Sequence, residues 1–504
     1  MMIRTSWTIL AASLLGFSGL AAAAASCESL SSLKLDNTTI TKAETVAAGS
    51  LPAPPARGKG KAGANPFADL PAFCRVAATI KPTSDSDIKM EIWMPASGWN
   101  GNLESNGNGA WTGSISDTTL ATGLKRGFAA AQTDTGHEGG SASFALGHPE
   151  KLTDFGYRAV HELTVKSKAI VAAYYGTAPK LAYWNGCSAG GRQGIMEALR
   201  YPEDYDAIVA GAPGINWSGR SMQALWIGQA SHKSEASGVP ASKFPMIHEA
   251  ALAACDAKDG VKDGVIEDPT KCGFDPKTLL CKEGDAANCL TAEQVETVKT
   301  IYTPVTNPRT KAELFPPHMP GSEMGWGTMA GPNPFGPGVD LFRYVVFQDP
   351  NWDYKTFNFD SDAARSRDAS ASMDVFEPNL DKFFARGGKL IQYHGWADPQ
   401  ISPGSSTEYY TKVAARGKSK DSYRLFMVPG MAHCQGGDGT DQFDMLSVLE
   451  KWVETKKAPD QVIASRTRNG AVDRTRPLCA YPKVAVYNGS GSTDDAANFT
   501  CKAQ

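Results

Sequence analysis

The chain lacks a C-x-x-C pair among its ten cysteines, an excess of basic residues, and any run of like charge. The first absence argues against a zinc knuckle or a dithiol redox centre. The other two argue against nucleic acid as a partner and against a charged interaction tail. Lys plus Arg number 50 against 53 Asp plus Glu, a net charge of -3. Past the N-terminus no apolar run is long enough to span a membrane, and no internal repeat points to a solenoid. What is left is ordinary globular composition, 42% hydrophobic and 20% charged. Its 504 residues suit several domains or one domain carrying an insertion.

Residues 1–25 read as a secretory signal. Arg4 supplies the positive start, residues 7–20 the apolar centre, and residues 21–25 the small-residue cleavage zone. A secreted or periplasmic protein is expected. Acylation of Cys27 is the other option, although Ala24-Ala25-Ser26 lacks the usual leucine. An even cysteine count in an exported chain favours disulfides. Spacing suggests local bridges, Cys255 with Cys272, Cys281 with Cys289 and Cys479 with Cys501, while Cys27 with Cys74 would tie down the N-terminal segment. Cys187 and Cys434 are then the residual pair.

From residue 88 to about 213 strand-like and helix-like stretches alternate. Residues 90–95, 128–133, 181–184 and 205–210 read as strands; 157–174 and 191–200 read as helices, with apolar positions at three- and four-residue spacing. Such alternation argues for a mostly parallel sheet flanked by helices, an α/β fold. Residues 215–375 break the pattern with four cysteines, many Pro and Gly, and scattered aromatics. Alternation returns at 389–394 and 423–428. The economical arrangement is one catalytic domain, residues 26–214 and 376–504, interrupted by a lid of residues 215–375. A Pro- and Gly-rich connector occupies residues 50–66.

Gly186-Cys187-Ser188-Ala189-Gly190 joins a predicted strand to a predicted helix. In a G-x-S-x-G turn the small residues permit a strained backbone at the serine and close packing of the following helix. The hydroxyl is lifted above the sheet edge, beside helix amides able to receive negative charge. A serine nucleophile needs a base, and the base an orienting acid. The strand ending at Tyr393 runs into His394-Gly395-Trp396-Ala397-Asp398, and the next strand into Pro429-Gly430-Met431-Ala432-His433-Cys434. Ser188, Asp398 and His433 therefore follow the serine, acid, histidine order of an α/β-hydrolase. A Cys187–Cys434 bridge would hold the two backbones within about 6 Å, making serine and histidine neighbours. His394 is an alternative base, and His137 could line the site. Asp438 or Asp441 could replace Asp398, but both follow His433. For the oxyanion, the amide of Ala189 and that of Gly107, with Gly109 close behind, are the expected donors.

A second segment, Cys255 to Asp268, carries Asp256, Asp259 and Asp263 at short intervals and two Asp-Gly turns. Hard oxygen ligands from Asp256, Asp259 and Asp263, with the carbonyls of Val261 and Val265, would suit calcium. A solvated acidic turn closed by a disulfide is the alternative reading.

These pieces, together with Tyr205-Asp206-Ala207-Ile208-Val209-Ala210-Gly211-Ala212-Pro213-Gly214, resemble the tannase and feruloyl esterase family of secreted serine esterases across nearly the whole mature chain. The resemblance implies an α/β-hydrolase with a lid, the triad of Ser188, Asp398 and His433, the Cys187–Cys434 bridge, and structural calcium on the lid loop. It implies small aromatic-acid esters as substrates, from plant cell wall or polyphenol, with feruloyl esters first. Gallate esters or mono(2-hydroxyethyl) terephthalate come second. Ala189 stands where the terephthalate enzyme of the family carries glutamate, which disfavours that substrate. A peptidase, or an inactive carbohydrate-binding scaffold, is the reading from another class.

Overall fold

The computed structural model describes residues 25–53 and 65–503. The expected signal, apart from Ala25, lies outside the described residues, as does most of the 50–66 connector. Nine strands make one sheet. In chain order they are β1 Thr38–Val46, β2 Phe73–Ile80, β3 Ile88–Pro95, β4 Asn102–Asn106, β5 Ala129–Thr133, β6 Leu181–Cys187, β7 Ala207–Gly211, β8 Lys389–Gly395 and β9 Tyr423–Val428. Across the sheet they run β1-β2-β3-β5-β4-β6-β7-β8-β9. The pairs β1/β2, β2/β3 and β3/β5 are antiparallel, and from β5 to β9 every pair is parallel.

Each parallel step needs a crossover, and helices supply it. Asp117–Lys125 joins β4 to β5, Ala159–Tyr175 joins β5 to β6, Ala189–Arg200 joins β6 to β7, and Gly404–Ala414 joins β8 to β9. With helices on both faces, β7 is buried at all five residues. This is the α/β-hydrolase arrangement that the alternation predicted. Three strands were not anticipated: β1, β2 and β4. The last reads Asn-Leu-Glu-Ser-Asn, too polar for a central strand, and its burial pushes the Glu104 carboxyl up to about 7. No described helix is long and apolar enough to cross a membrane.

Between β7 and β8 the chain leaves the sheet for residues 212–388. This insert holds helices Trp217–Ser231, Phe244–Cys255 and Ala292–Ile301 and the short pair Val305–Thr306 with Glu313–Phe315. After β9, helix Met445–Thr455 buries Met445, Leu449 and Trp452 on one face against Phe426 and Val428. Two hairpins complete the chain, Gln461–Arg468 with Ala471–Cys479 and Val484–Tyr487 with Phe499–Lys502.

The ten cysteines form five disulfides in the pairs expected: Cys27–Cys74, Cys187–Cys434, Cys255–Cys272, Cys281–Cys289 and Cys479–Cys501.

Close backbone approach fixes how the helix after β6 sits. A Cβ on Gly186 would lie 2.6 Å from the Gly190 carbonyl, and one on Gly191 would overlap Gly211 O and stand 3.1 Å from Pro213. Gly191→Ala should lower stability by about 1–3 kcal/mol through overpacking, read as a lower urea midpoint at unchanged slope. A wild-type midpoint would mean that the loop after β7 yields.

Candidate active site

The parallel strands end in register: Asn106 beside Asn185, Cys187 beside Gly211, Tyr393 beside Gly211, and Gly395 beside Val428. The loops leaving this edge carry the chemistry. Ser188 has φ 63° and ψ -120°, a left-handed conformation costly for any residue with a Cβ. It is held there by hydrogen bonds: its N–H donates to Gly211 O at 2.9 Å, and its carbonyl accepts from Arg192 N and Gly214 N at 3.1 Å. The Ala189 N–H opens the helix and, among the described residues, has no partner.

The Cys187–Cys434 bridge, with Cα atoms 6.1 Å apart, brings the His433 loop to this turn. His433 Nδ1 lies 2.7 Å from Asp398 Oδ2. The other oxygen of Asp398 accepts the amides of Gln400 and Ile401 at 2.7 and 3.0 Å. His394 Nε2 reaches the same Oδ2 at 3.0 Å, while its Nδ1 meets Ser406 Oγ at 2.7 Å. Burial alone would raise the Asp398 carboxyl. The charges and hydrogen bonds of His433 and His394 outweigh it and hold the group well below the usual carboxylate range. The site thus contains a wholly buried carboxylate gripped by two histidines. His433 is the half-buried one, whereas His394 has no exposed surface. Ser188 Oγ makes no hydrogen bond among the described residues, a looseness common where no substrate is bound.

Other expected residues fall elsewhere. Asp438 pairs with His248 at 3.2 Å and Asp441 accepts the Gly436 amide at 2.7 Å, so neither touches His433. His137 is buried, its Nε2 2.8 Å from Trp111 O and its ring stacked on Phe144 at 3.7 Å. Gly107 needs correction as an oxyanion donor. Its N–H already donates to Asn185 O at 3.1 Å, because the loop after β4 presses on the helix: a Cβ there would meet Trp184 and Gln193 Oε1 at 3.0 Å. The next amide, Asn108, donates to Gln193 Oε1 at 3.1 Å. The amide of Gly109, the second candidate, has no partner among the described residues.

Sequence reasoning missed four contributors. Arg192 is wholly buried behind Ser188, donating to the carbonyls of Gly156 and Met373 at 2.7 and 3.4 Å, with burial pulling it down to about 10. Its guanidinium lies 5.5 Å from the ring centres of Phe155 and Trp217. Those rings pack with Trp111 and Ala189 in one apolar cluster beside the nucleophile turn. His318, from the insert, has Nδ1 3.2 Å from the Asp398 carbonyl, and burial lowers its pKa to about 4, leaving it neutral. Arg220 is a second buried cation there, 4.9 Å from the Phe335 ring. His248 bridges Glu323 Oε2 at 2.7 Å and Asp438.

A model of the tannase and feruloyl esterase family matches residues 74–502. The chain belongs to that family. It is 38% identical to an uncharacterized esterase of Xanthomonas campestris pv. campestris, over 95% of this chain and 92% of that one. It is 34% identical to a probable feruloyl esterase B of Aspergillus clavatus, covering 85% and 86% of the two chains. The crystal structure of feruloyl esterase B from Aspergillus oryzae superposes with a TM-score of 0.86 at 31% identity, over 94% of this chain and 99% of that one. Tannin acyl hydrolase from Aspergillus niger shares the fold, with a TM-score of 0.77 at 23% identity over 94% and 93%. This family esterase is a carboxylic ester hydrolase.

In the acidic loop, Asp256 accepts the amides of Asp263 and Gly264 at 3.1 and 2.9 Å, and Asp259 accepts that of Val261 at 2.9 Å. Burial raises the Asp259 carboxyl, and the charges of Asp263 and Asp256 raise it further. Asp259, Asp263, Val265, Glu267 and Thr440 line a void of about 10 Å³, the size of one water or ion. The donor chemistry fits a hard cation. Arg474 and Arg476 also reach Asp263 and supply part of the balancing charge.

His248 makes a pH prediction. Burial would lower its pKa, but the bonds to Asp438 and Glu323 dominate and push it up to about 9, above the ordinary 6.5. The stabilising contribution is therefore complete below pH 6.5 and lost as pH rises through 9. The wild-type melting temperature should fall more steeply across that window than that of His248→Gln. Parallel slopes would show that the ion pairs add nothing.

Proposed function

We propose that this esterase cleaves esters of aromatic acids, feruloyl esters foremost, through an acyl-enzyme on Ser188. The carrying observation is the His433–Asp398 hydrogen bond on a loop bridged to the nucleophile turn. His433 Nε2 takes the Ser188 proton as Oγ attacks the ester carbonyl. The amides of Ala189 and Gly109 receive the oxyanion, and His433 returns the proton to the departing alcohol. Water, deprotonated by the same imidazole, then releases the acid. Asp398 fixes the tautomer that leaves Nε2 free to accept. The likeness to fungal feruloyl esterases supports a feruloyl acyl group. Five disulfides support an exported enzyme.

Ser188→Ala should reduce kcat on methyl ferulate by at least about 10⁴-fold with an unchanged melting temperature. Retained turnover sinks the mechanism. In a panel of methyl ferulate, methyl gallate and mono(2-hydroxyethyl) terephthalate, the highest kcat/KM should fall on ferulate. A preference for either other ester replaces the acyl assignment, and turnover of none with sugar affinity retained would mean a binding scaffold.

The acidic loop is proposed to hold structural calcium on the carboxylates of Asp256, Asp259 and Asp263 and the carbonyls of Val261 and Val265. The ion would neutralise crowded carboxylates and take no part in ester cleavage. Chelation should lower the melting temperature of the wild type, calcium should restore it, and Asp259→Ala should no longer respond. A wild type indifferent to chelator excludes the ion.

A further inference from the structure

A second cluster lies away from the ester site. His161 on helix Ala159–Tyr175, Glu197 on helix Ala189–Arg200, and Asp204 in the turn before β7 each direct one ligand atom to a common point, all within 4.8 Å of one another. Among the described residues no other three such side chains converge this closely. His161 Nδ1 is 2.7 Å from Asp204 Oδ2, and the ring stacks on Tyr201 at 3.8 Å, which fixes its plane. Glu197 is 1% exposed, and neither of its carboxylate oxygens has a hydrogen-bond partner.

That last feature is not what packing alone produces. A buried carboxylate normally accepts several hydrogen bonds or pairs with a cation. The neighbouring cations are turned elsewhere: Lys168 Nζ donates to the carbonyls of Asp204 and Glu203, and the Arg200 guanidinium stands 4.1 Å over the Tyr157 ring. Burial and the Asp204 charge push the Glu197 carboxyl well above its usual range. A cation would relieve that burial.

We propose that His161, Glu197 and Asp204 form a binding site for a divalent first-row metal of the zinc class. One imidazole nitrogen and two carboxylate oxygens suit that ion, and tetrahedral coordination at ~2.0–2.1 Å needs ligand separations of about 3.3 Å, inside the limit observed. The His161 side chain is 29% exposed, so the ion has an entry route and a place for a coordinated water. Hard calcium would want more oxygens than three residues offer. Glu197 lies about 13 Å along the helix from Ser188, so the metal would be structural. It would pin the nucleophile helix to helix Ala159–Tyr175 and displace a proton from the Glu197 carboxyl.

The test uses tag-free, chelator-stripped protein kept in excess calcium, so that the acidic loop does not compete. Titration with zinc chloride should give one tight equivalent per chain, a higher melting temperature, and proton release on binding, seen as buffer-dependent heat. Glu197→Gln and His161→Gln should each lose the tight equivalent and the thermal shift. If Glu197→Gln does not fold, His161→Gln at the half-exposed position decides. Absence of tight binding in the wild type overturns the proposal. Equal binding by wild type and His161→Gln assigns the zinc to other surface groups and overturns it as well.

Discussion

The tie between Cys187 and Cys434 is the constraint around which the sheet edge is arranged. Two strands, β7 and β8, lie between β6 and β9, so about 14 Å of sheet separates the ends that the bridge must join. The chain after β9 therefore turns back across the top of β8. Residues at the crossing have no room for side chains: a Cβ on Gly395 would stand 2.6 Å from Ala432 O, and Gly211 is covered by the Tyr393 ring. The glycines that end these strands thus follow from the path of the histidine loop. The same path delivers His433 over Asp398, which sits at the end of the strand being crossed.

Asp398 is the electrostatic counterpart of that tie. A carboxylate with no exposed surface is stable only if every lone pair is used. Here two amides satisfy one oxygen and two imidazoles the other. His394 reaches the same carboxylate oxygen, yet its other nitrogen is taken by Ser406 and its ring is enclosed. Of the two, only His433 keeps a ring nitrogen without a hydrogen-bond partner among the described residues. The choice of base is therefore set by burial rather than by distance to the acid.

Much of this was legible in the sequence, for physical reasons that differ by residue. The nucleophile turn was readable because glycine at residues 186, 190 and 191 is demanded by backbone contacts under 3.2 Å. The five disulfides followed from spacing plus elimination. Strand β4 was not readable, because Glu104 and Asn106 pack as buried polar groups that no apolar pattern announces. Gly107 was a poor choice of oxyanion donor, since composition cannot say which amides of Gly107-Asn108-Gly109 are already bonded. Arg192 and His318 act through contacts to backbone carbonyls 36 and 80 residues away, and a carbonyl leaves no mark in a sequence.

The insert is joined to the catalytic loops by more than apolar contact. His248 links it to Asp438 on the histidine loop, His318 to the backbone of Asp398, and Arg192 receives its Met373 carbonyl. Trp111, beside the oxyanion loop, donates to Pro337 O at 2.8 Å. These bonds start from different insert segments and end on three of the loops that carry the chemistry. Lifting the insert as a rigid cover would break all of them at once and expose His318 and Arg192, whose burial they complete. Access for an ester is therefore better served by local movement of side chains at the rim than by hinging of the whole insert. The insert is then a fixed neighbour of the Ser188 turn, held in place by these bonds.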